Sequence, residues 1–192
     1  MASQAQMPCL SNDEYLANEL ATDERHEYVA GRVFAMGGSS DRHNRIALNL
    51  ASALLNLTRG GPCQVYMSDM KVRVEAADAY YYPDVVVTCD PDDTAPYYKD
   101  RPSLIVEVLS PTTETIDRRE KLLAYQKLDS LREYALIASD RRRIQVYRRY
   151  GGQWLLVMYE DDDSVMLESV HYNFELDVLY EGVPELSSGK RA

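Results

Sequence analysis

Cysteine is scarce in this chain of 192 residues: there are three, Cys9, Cys63 and Cys89, and no CxxC pair. That spacing argues against a zinc site and against a disulfide framework, so a reducing compartment, the cytoplasm, is the expectation. Long apolar runs are missing too. None approaches the roughly 18 residues of a membrane span, and the opening MASQAQMPCLSNDEYLANEL has neither the basic start nor the apolar stretch of a signal peptide. No membrane partner is expected. Basic charge is in deficit, with 21 Lys and Arg against 31 Asp and Glu and a net charge of −10. This excludes an unselective coat on nucleic acid and confines any nucleic-acid contact to a local basic patch. Walker, GxGxxG, GxSxG and HExxH patterns are all lacking, which removes support for nucleotide-driven, dinucleotide-dependent and serine-hydrolase chemistry.

What is present reads as one α/β domain with a mixed sheet. Hydrophobic residues make up 45% and charged residues 27%, ordinary values for a globular chain with its own core. Residues 1–10 and 184–192 read as flexible tails around a single domain over 11–183. Ser11 and Glu14 have capping-box spacing for a helix to about Thr22. HEYVAGRVFAMGG (26–38) reads as a hairpin turning at Ala30-Gly31, and Ser39-Ser40-Asp41 as the cap of a helix that stops at Arg59-Gly60-Gly61-Pro62. Strand character follows over 63–75 and 80–90, then a polar loop over 91–102 and an apolar strand over 103–110. A helix is expected from Pro111 to about Leu128. The last third reads as a β-meander over 133–139, 143–150, 153–160 and 164–169, and NFELDVLYEGV as a closing helical turn.

Glu107 carries the most information. It interrupts the apolar strand Leu104-Ile105-Val106-Glu107-Val108-Leu109. A glutamate so placed is rarely buried unless it is paired or holds a metal. Asp84 stands at a strand entry set by Pro83, and 23 residues separate it from Glu107, close enough for neighbouring strands. Two carboxylates at adjacent strand ends form an oxygen-rich site suited to Mg²⁺ or Mn²⁺. Asp117 and Lys121, four apart, share one face of the following helix and can reach back over the strand end. His43, in the first turn of its helix, and Lys71, alternating with apolar residues, are candidate phosphate contacts. Arg141, Arg142, Arg143, Arg148 and Arg149 place five arginines within nine residues, the best candidate for a nucleic-acid patch, with Arg141 and Arg143 foremost.

Pro83-Asp84 followed by Glu107-Val108-Leu109 resembles the PD-(D/E)xK nuclease superfamily. The segments RHEYVAGRVFAM, HNRIALNLASAL, MKVRV, YYYPDVVVTCD, LIVEVLSPTTETIDRREKLLAYQ and LYEGV resemble the Uma-type family of restriction-endonuclease-like proteins over about residues 11–183. The resemblance implies a restriction-endonuclease-like core: a mixed β-sheet flanked by helices, here with a C-terminal β-meander. It also implies Mg²⁺- or Mn²⁺-dependent phosphodiester hydrolysis, with DNA the expected substrate. A homodimer is the expected assembly, because nucleases that cut two strands often pair two sites by two-fold symmetry and such dimers are common. Asp84 and Glu107 correspond to the metal ligands, and Glu27 to a further acidic position. The superfamily lysine expected two residues after Glu107 is replaced by Leu109, and Lys121 is the residue that fits a relocation to the helix. Asp117 then orients Lys121. The competing reading is a catalytically inactive binding or dimerisation module that keeps the fold.

Overall fold

The computed structural model describes residues 9–110, 114–183 and 186. Chain order is α1 (Asn12–Leu20), β1 (His26–Val29), β2 (Arg32–Ala35), α2 (Asp41–Thr58), β3 (Gln64–Met67), β4 (Lys71–Val74), β5 (Ala79–Tyr81), β6 (Val85–Thr88), β7 (Tyr98–Lys99) and β8 (Leu104–Leu109). The helical segment that follows consists of α3 (Glu114–Ile116), a π-helical turn (Asp117–Lys121) and α4 (Leu122–Tyr125). Then come β9 (Glu133–Ala138), β10 (Arg143–Tyr150), β11 (Gln153–Glu160), β12 (Ser164–Leu167), β13 (Tyr172–Glu175) and α5 (Asp177–Tyr180). Pro111-Thr112-Thr113, the expected helix start, lies outside the described residues, as do most residues of the two tails. Among the described residues no helix is long and apolar enough to cross a membrane.

Local chemistry sets the first elements. Ser11 and Glu14 form a complete capping box on α1, and the Ser40 side chain caps α2 by accepting the His43 N–H. Ala30 and Gly31 both have positive φ, 47° and 85°, as the two-residue turn between β1 and β2 requires.

The fold is a mixed α+β architecture. Its central sheet runs β11-β10-β9-β8-β6-β3, with β8 and β9 parallel and the other neighbours antiparallel. Side-chain alternation sends Val85, Val87, Leu104, Val106 and Val108 to one face, where Ile46, Leu50 and Leu54 of α2 cover them. Val86, Ile105 and Leu109 face the other way, against Ala124 and Tyr125 of α4 and against Val72, Val74 and Tyr81 of a second sheet. That second sheet runs β2-β1-β5-β4-β7. With both faces covered, β8 is buried at all six positions, which is why its sequence reads as a near-continuous apolar run.

The structure corrects four expectations. The β character expected over 63–75 is present, but 80–90 is not one strand. Each stretch is split between the two sheets, the first at Ser68, whose φ is 33°, and the second at Pro83, which has no N–H to continue a ladder. The loop 91–102 contains β7, which pairs parallel to β4 and buries Lys99 against the carbonyls of Asp93 and Ala95. The meander ends after three strands. Following Asp161-Asp162-Asp163 the chain crosses to the α2 side of the sheet, buries Val165 and Leu167 there, and pairs β12 with β13, a strand where only a helical turn was expected.

Cys63 and Cys89 form a disulfide. They lie one step beyond the Gln64–Thr88 pair of β3 and β6, so the ladder holds them face to face, their Cα atoms 4.0 Å apart. The expectation that the cysteines are unpaired fails here, and with it the premise of the argument for a reducing compartment. The bond closes a loop with a sequence separation of 26, and loop-closure entropy gives it about 3.5 kcal/mol. The double variant Cys63→Ser/Cys89→Ser is expected to lose that stability, read as a lower urea midpoint beside the oxidised protein.

Candidate active site

The β6–β8 register places the two strand carboxylates together. Val85 pairs with Val106, so Asp84 stands one step further, across from Glu107. Both side chains have the parity of Val86 and Ile105 and turn to the face that carries the helical segment and the second sheet. Asp84 continues the ladder with its side chain: Oδ2 accepts the Val108 N–H at 2.7 Å. The same oxygen lies 3.2 Å from His43 Nε2, brought to the sheet end by the first turn of α2.

Lys121 descends onto this pair from the π-helical turn. Its Nζ lies 2.9 Å from Glu27 Oε1, 3.1 Å from Glu107 Oε1 and 3.4 Å from Asp117 Oδ1. Three elements therefore meet at one ammonium: β1 of the second sheet, β8 of the central sheet and the helical segment. Tyr125, one helical turn after Lys121, donates its hydroxyl to Glu107 Oε1 at 3.3 Å. π-helical turns concentrate at functional sites because they re-aim side chains within a helix.

The electrostatics follow from burial and an excess of acid. Glu107 is 4% exposed and Lys121 5%. Loss of water pushes the Glu107 carboxyl well above its ordinary value. Lys121 pulls it down, but Asp117, Asp84 and Glu27 add to the rise. Burial alone would lower the Lys121 pKa, yet Glu107, Glu27 and Asp117 outweigh it and hold the ammonium charged well above its ordinary range. For His43, burial works downward, and the hydrogen bond and charge of Asp84 reverse the sign to a net rise.

The donor set fits a hard divalent cation. The protein hydrogen bonds to Glu107 converge on Oε1 and those to Asp84 on Oδ2. Oε2 of Glu107 and Oδ1 of Asp84 accept none among the described residues. Among the described residues no group of three or more His, Cys, Asp and Glu is arranged around a common metal position. Lys121 is the reason, since its ammonium takes the centre of the Glu27, Glu107 and Asp117 group. What remains is a two-carboxylate site, the type Mg²⁺ occupies when water and substrate phosphate complete its shell. Beside it opens a cleft of about 560 Å³ lined by Arg25, His43, Asp69, Tyr82 and Asp84 among others.

The other candidates lie apart from this group. Lys71 is buried, donates to the Tyr82 hydroxyl at 3.1 Å, and has its pKa lowered by burial, so it presents no charge to the surface. The five arginines do not form a patch. Arg141 pairs with Asp140, Arg142 with Asp177, Arg143 with Glu160 and Arg148 with Glu133 and Glu168, while Arg149 donates to the carbonyls of Gln126 and Leu128. Tyr125 is a site residue that the sequence reading passed over, although Asp117, Lys121 and Tyr125 recur every four residues.

Comparison with known proteins identifies the family and the fold. The family model of Uma2, described as "Putative restriction endonuclease", matches residues 12–179. The chain belongs to the Uma2 family. Two relatives from Synechocystis sp. (strain ATCC 27184 / PCC 6803 / Kazusa) are the uncharacterized proteins slr1290 and sll1609. The first is 39% identical over 93% of this chain and 95% of its own length, the second 35% identical over 77% and 85%. A crystal structure described as "a putative nuclease belonging to DUF820" from Anabaena variabilis ATCC 29413 superposes with a TM-score of 0.74. It covers 92% of this chain and 98% of its own at 17% identity, a likeness of fold.

The buried cluster makes a test of its own. Lys121→Met leaves Glu27, Glu107 and Asp117 facing one another without their cation. Removing one partner of a buried pair costs about 3–5 kcal/mol. The sign of the pH dependence follows from the carboxyls. Glu107, already raised by burial, rises further once Lys121 no longer pulls it down, so the folded state holds a proton that the unfolded chain releases above about pH 4.3. The deficit is expected to be small near pH 4 and to grow as pH rises through the raised value, measured by urea unfolding across that range. An equal deficit at every pH would contradict this account of the cluster.

Proposed function

We propose that this Uma2 chain is a metal-dependent nuclease that hydrolyses phosphodiester bonds in DNA at the Asp84–Glu107 site. The observation that carries the reading is the opposition of those two buried-strand carboxylates, each with an oxygen left for a cation, beside a lysine held charged by three acids. Asp84 and Glu107 are the residues that would hold Mg²⁺ or Mn²⁺. The bound cation supplies Lewis-acid polarisation of a phosphate oxygen and a lowered pKa for attacking water. Glu27 is assigned to the lysine and not to the cation, its Oε1 taking both the Lys121 ammonium and the Tyr82 N–H.

The residues of the chain supply the rest. Lys121 sets a fixed positive charge beside Glu107 that orients the water and offsets charge building on the phosphate. Asp117 and Glu27 hold that ammonium in place, and Tyr125 fixes the Glu107 carboxylate. His43 stands in the cleft wall with Nε2 on Asp84, where it orients that carboxylate. Duplex cleavage by one site per chain favours a two-fold pair of chains. With Lys71 buried and the arginines paired, Arg25 and His43 are the basic groups of the cleft, so affinity for DNA rests on the cation more than on a basic surface.

The alternative, an inactive binding or dimerisation module, draws on the closure of the Lys121 cluster, which balances much of its charge without a cation. Calorimetric Mn²⁺ titration separates the two. The wild type is expected to bind saturably, Asp84→Ala and Glu107→Ala not at all, and affinity to rise with pH as the Glu107 carboxyl loses its proton. Absence of wild-type binding, or binding indifferent to both substitutions, would favour the module. Glu107→Gln is further expected to lower Mg²⁺-dependent DNA cleavage by at least about 100-fold, followed as nicking of a plasmid.

A further inference from the structure

The central sheet ends in two unlike edges. β3 at one side has four residues, whereas β11 at the other runs for eight in unbroken register with β10. Its sequence, QWLLVMYE, contains no proline or lysine, and the register contains no bulge. These are the devices that usually blunt an edge. Three large apolar side chains stand in solvent along it: Leu155 at 50%, Leu156 at 47% and Met158 at 53% exposure. Among the described residues β10 is its one sheet neighbour.

The main chain shows which groups face outward. The Asp161 N–H donates to the Arg142 carbonyl at 3.3 Å, inside the hairpin. The Glu160 N–H donates instead to Asp163 Oδ2 at 2.8 Å, and the Glu160 carbonyl accepts the Asp163 N–H at 3.0 Å. Glu160 therefore points its backbone groups away from β10, and by the two-residue period so do Trp154, Leu156 and Met158.

We propose that β11 pairs antiparallel with β11 of a second copy of this chain, about a two-fold axis through Leu156. Such an axis stands normal to the sheet and keeps each face on its own side, so residues of like parity oppose each other. Leu156 then meets its own copy, Trp154 meets Met158 and Leu155 meets Val157, apolar against apolar, with Gln153 facing Tyr159 beyond them. The outward backbone groups of Trp154, Leu156 and Met158 are all consumed. The ladder stops at Glu160, whose groups Asp163 already satisfies.

Charge selects the partner and the direction. On a chain of net charge −10, two copies meet only where like charges are not opposed. β11 carries no charge before Glu160, which meets Gly152 in this register. The acidic turn Asp161-Asp162-Asp163 of each copy lies alongside the partner copy's glycine turn and near its Arg149, whose guanidinium rests 4.7 Å from the centre of the Trp154 ring. A parallel arrangement would set the two acidic turns side by side. The proposal deepens the two-fold reading made above by assigning its surface.

Sedimentation velocity of the full chain tests it, with two variants. The wild type is expected to sediment as a dimer. Leu156→Lys, which sets a positive charge against its own copy, is expected to sediment as a monomer with an unchanged circular dichroism spectrum. In a Cys9→Ser background, Leu156→Cys is expected to form a covalent dimer on mild oxidation. Facing copies lie about 5.5 Å apart at Cα in a hydrogen-bonded pair, within disulfide reach. A monomeric wild type overturns both the two-fold reading and this surface. A dimer untouched by Leu156→Lys, or one that Leu156→Cys fails to cross-link, overturns the surface alone. Mn²⁺ binding at Asp84 and Glu107 is indifferent to all three proteins, so failure here is separable from failure of the metal site.

Discussion

One ammonium ion organises the centre of this protein. Lys121 is the cation on which Glu27, Glu107 and Asp117 converge, and those acids come from the second sheet, the central sheet and the helical segment. Apolar residues of similar volume could join the same elements, often at no loss and sometimes with a gain in stability. A buried cluster with more acid than base is thus a poor choice for holding a fold together. Its cost makes sense where the charges are used, and the surplus acid, Asp84 included, is what a divalent cation would neutralise.

The same ammonium explains the shape of the proposed metal site. By taking Glu27 and Asp117 for itself, Lys121 leaves Asp84 and Glu107 as a pair. Two carboxylates hold a hard cation weakly and leave most of its shell for water and phosphate. The lysine thus converts what would be a closed acidic cage into an open site. The proposed relocation from strand to helix has a structural consequence as well. At the usual strand position Leu109 packs into the core between the two sheets, while the charge arrives from above on a π-helical turn.

The features legible in the sequence are those set by local or one-element rules. The capping box of α1, the Ala30-Gly31 turn and the apolar stretch of β8 depend on neighbouring residues, and Glu107 stands out because that stretch surrounds it. Asp117 and Lys121 share a face by helical spacing alone. Other features need register or packing. The Cys63–Cys89 bond follows from which residues oppose each other across β3 and β6, and no cysteine spacing encodes that. The split of two continuous β-rich stretches between sheets is invisible to a period-two pattern, because each half alternates correctly on its own. The arginine cluster is the converse case. It is dense in sequence, but Asp177, Glu133 and Glu168 come from distant segments to neutralise it.

Pro83 connects these levels. On its near side Tyr82 is held in a buried chain of hydrogen bonds: Lys71 donates to its hydroxyl, and that hydroxyl donates to Glu19 Oε1 at 2.8 Å, which also accepts the His26 N–H. On its far side Asp84 takes the ladder position opposite Glu107. Proline removes one donor and stiffens one backbone angle at the junction, so the segment passes from one sheet to the other with both neighbours anchored. Lys71 thereby acquires a role that needs no exposure. It fixes Tyr82 in the cleft wall from beneath, two residues from the carboxylate that would meet the cation. The same proline that marks the strand entry in the sequence is thus what lets two sheets that share a core contribute to one site.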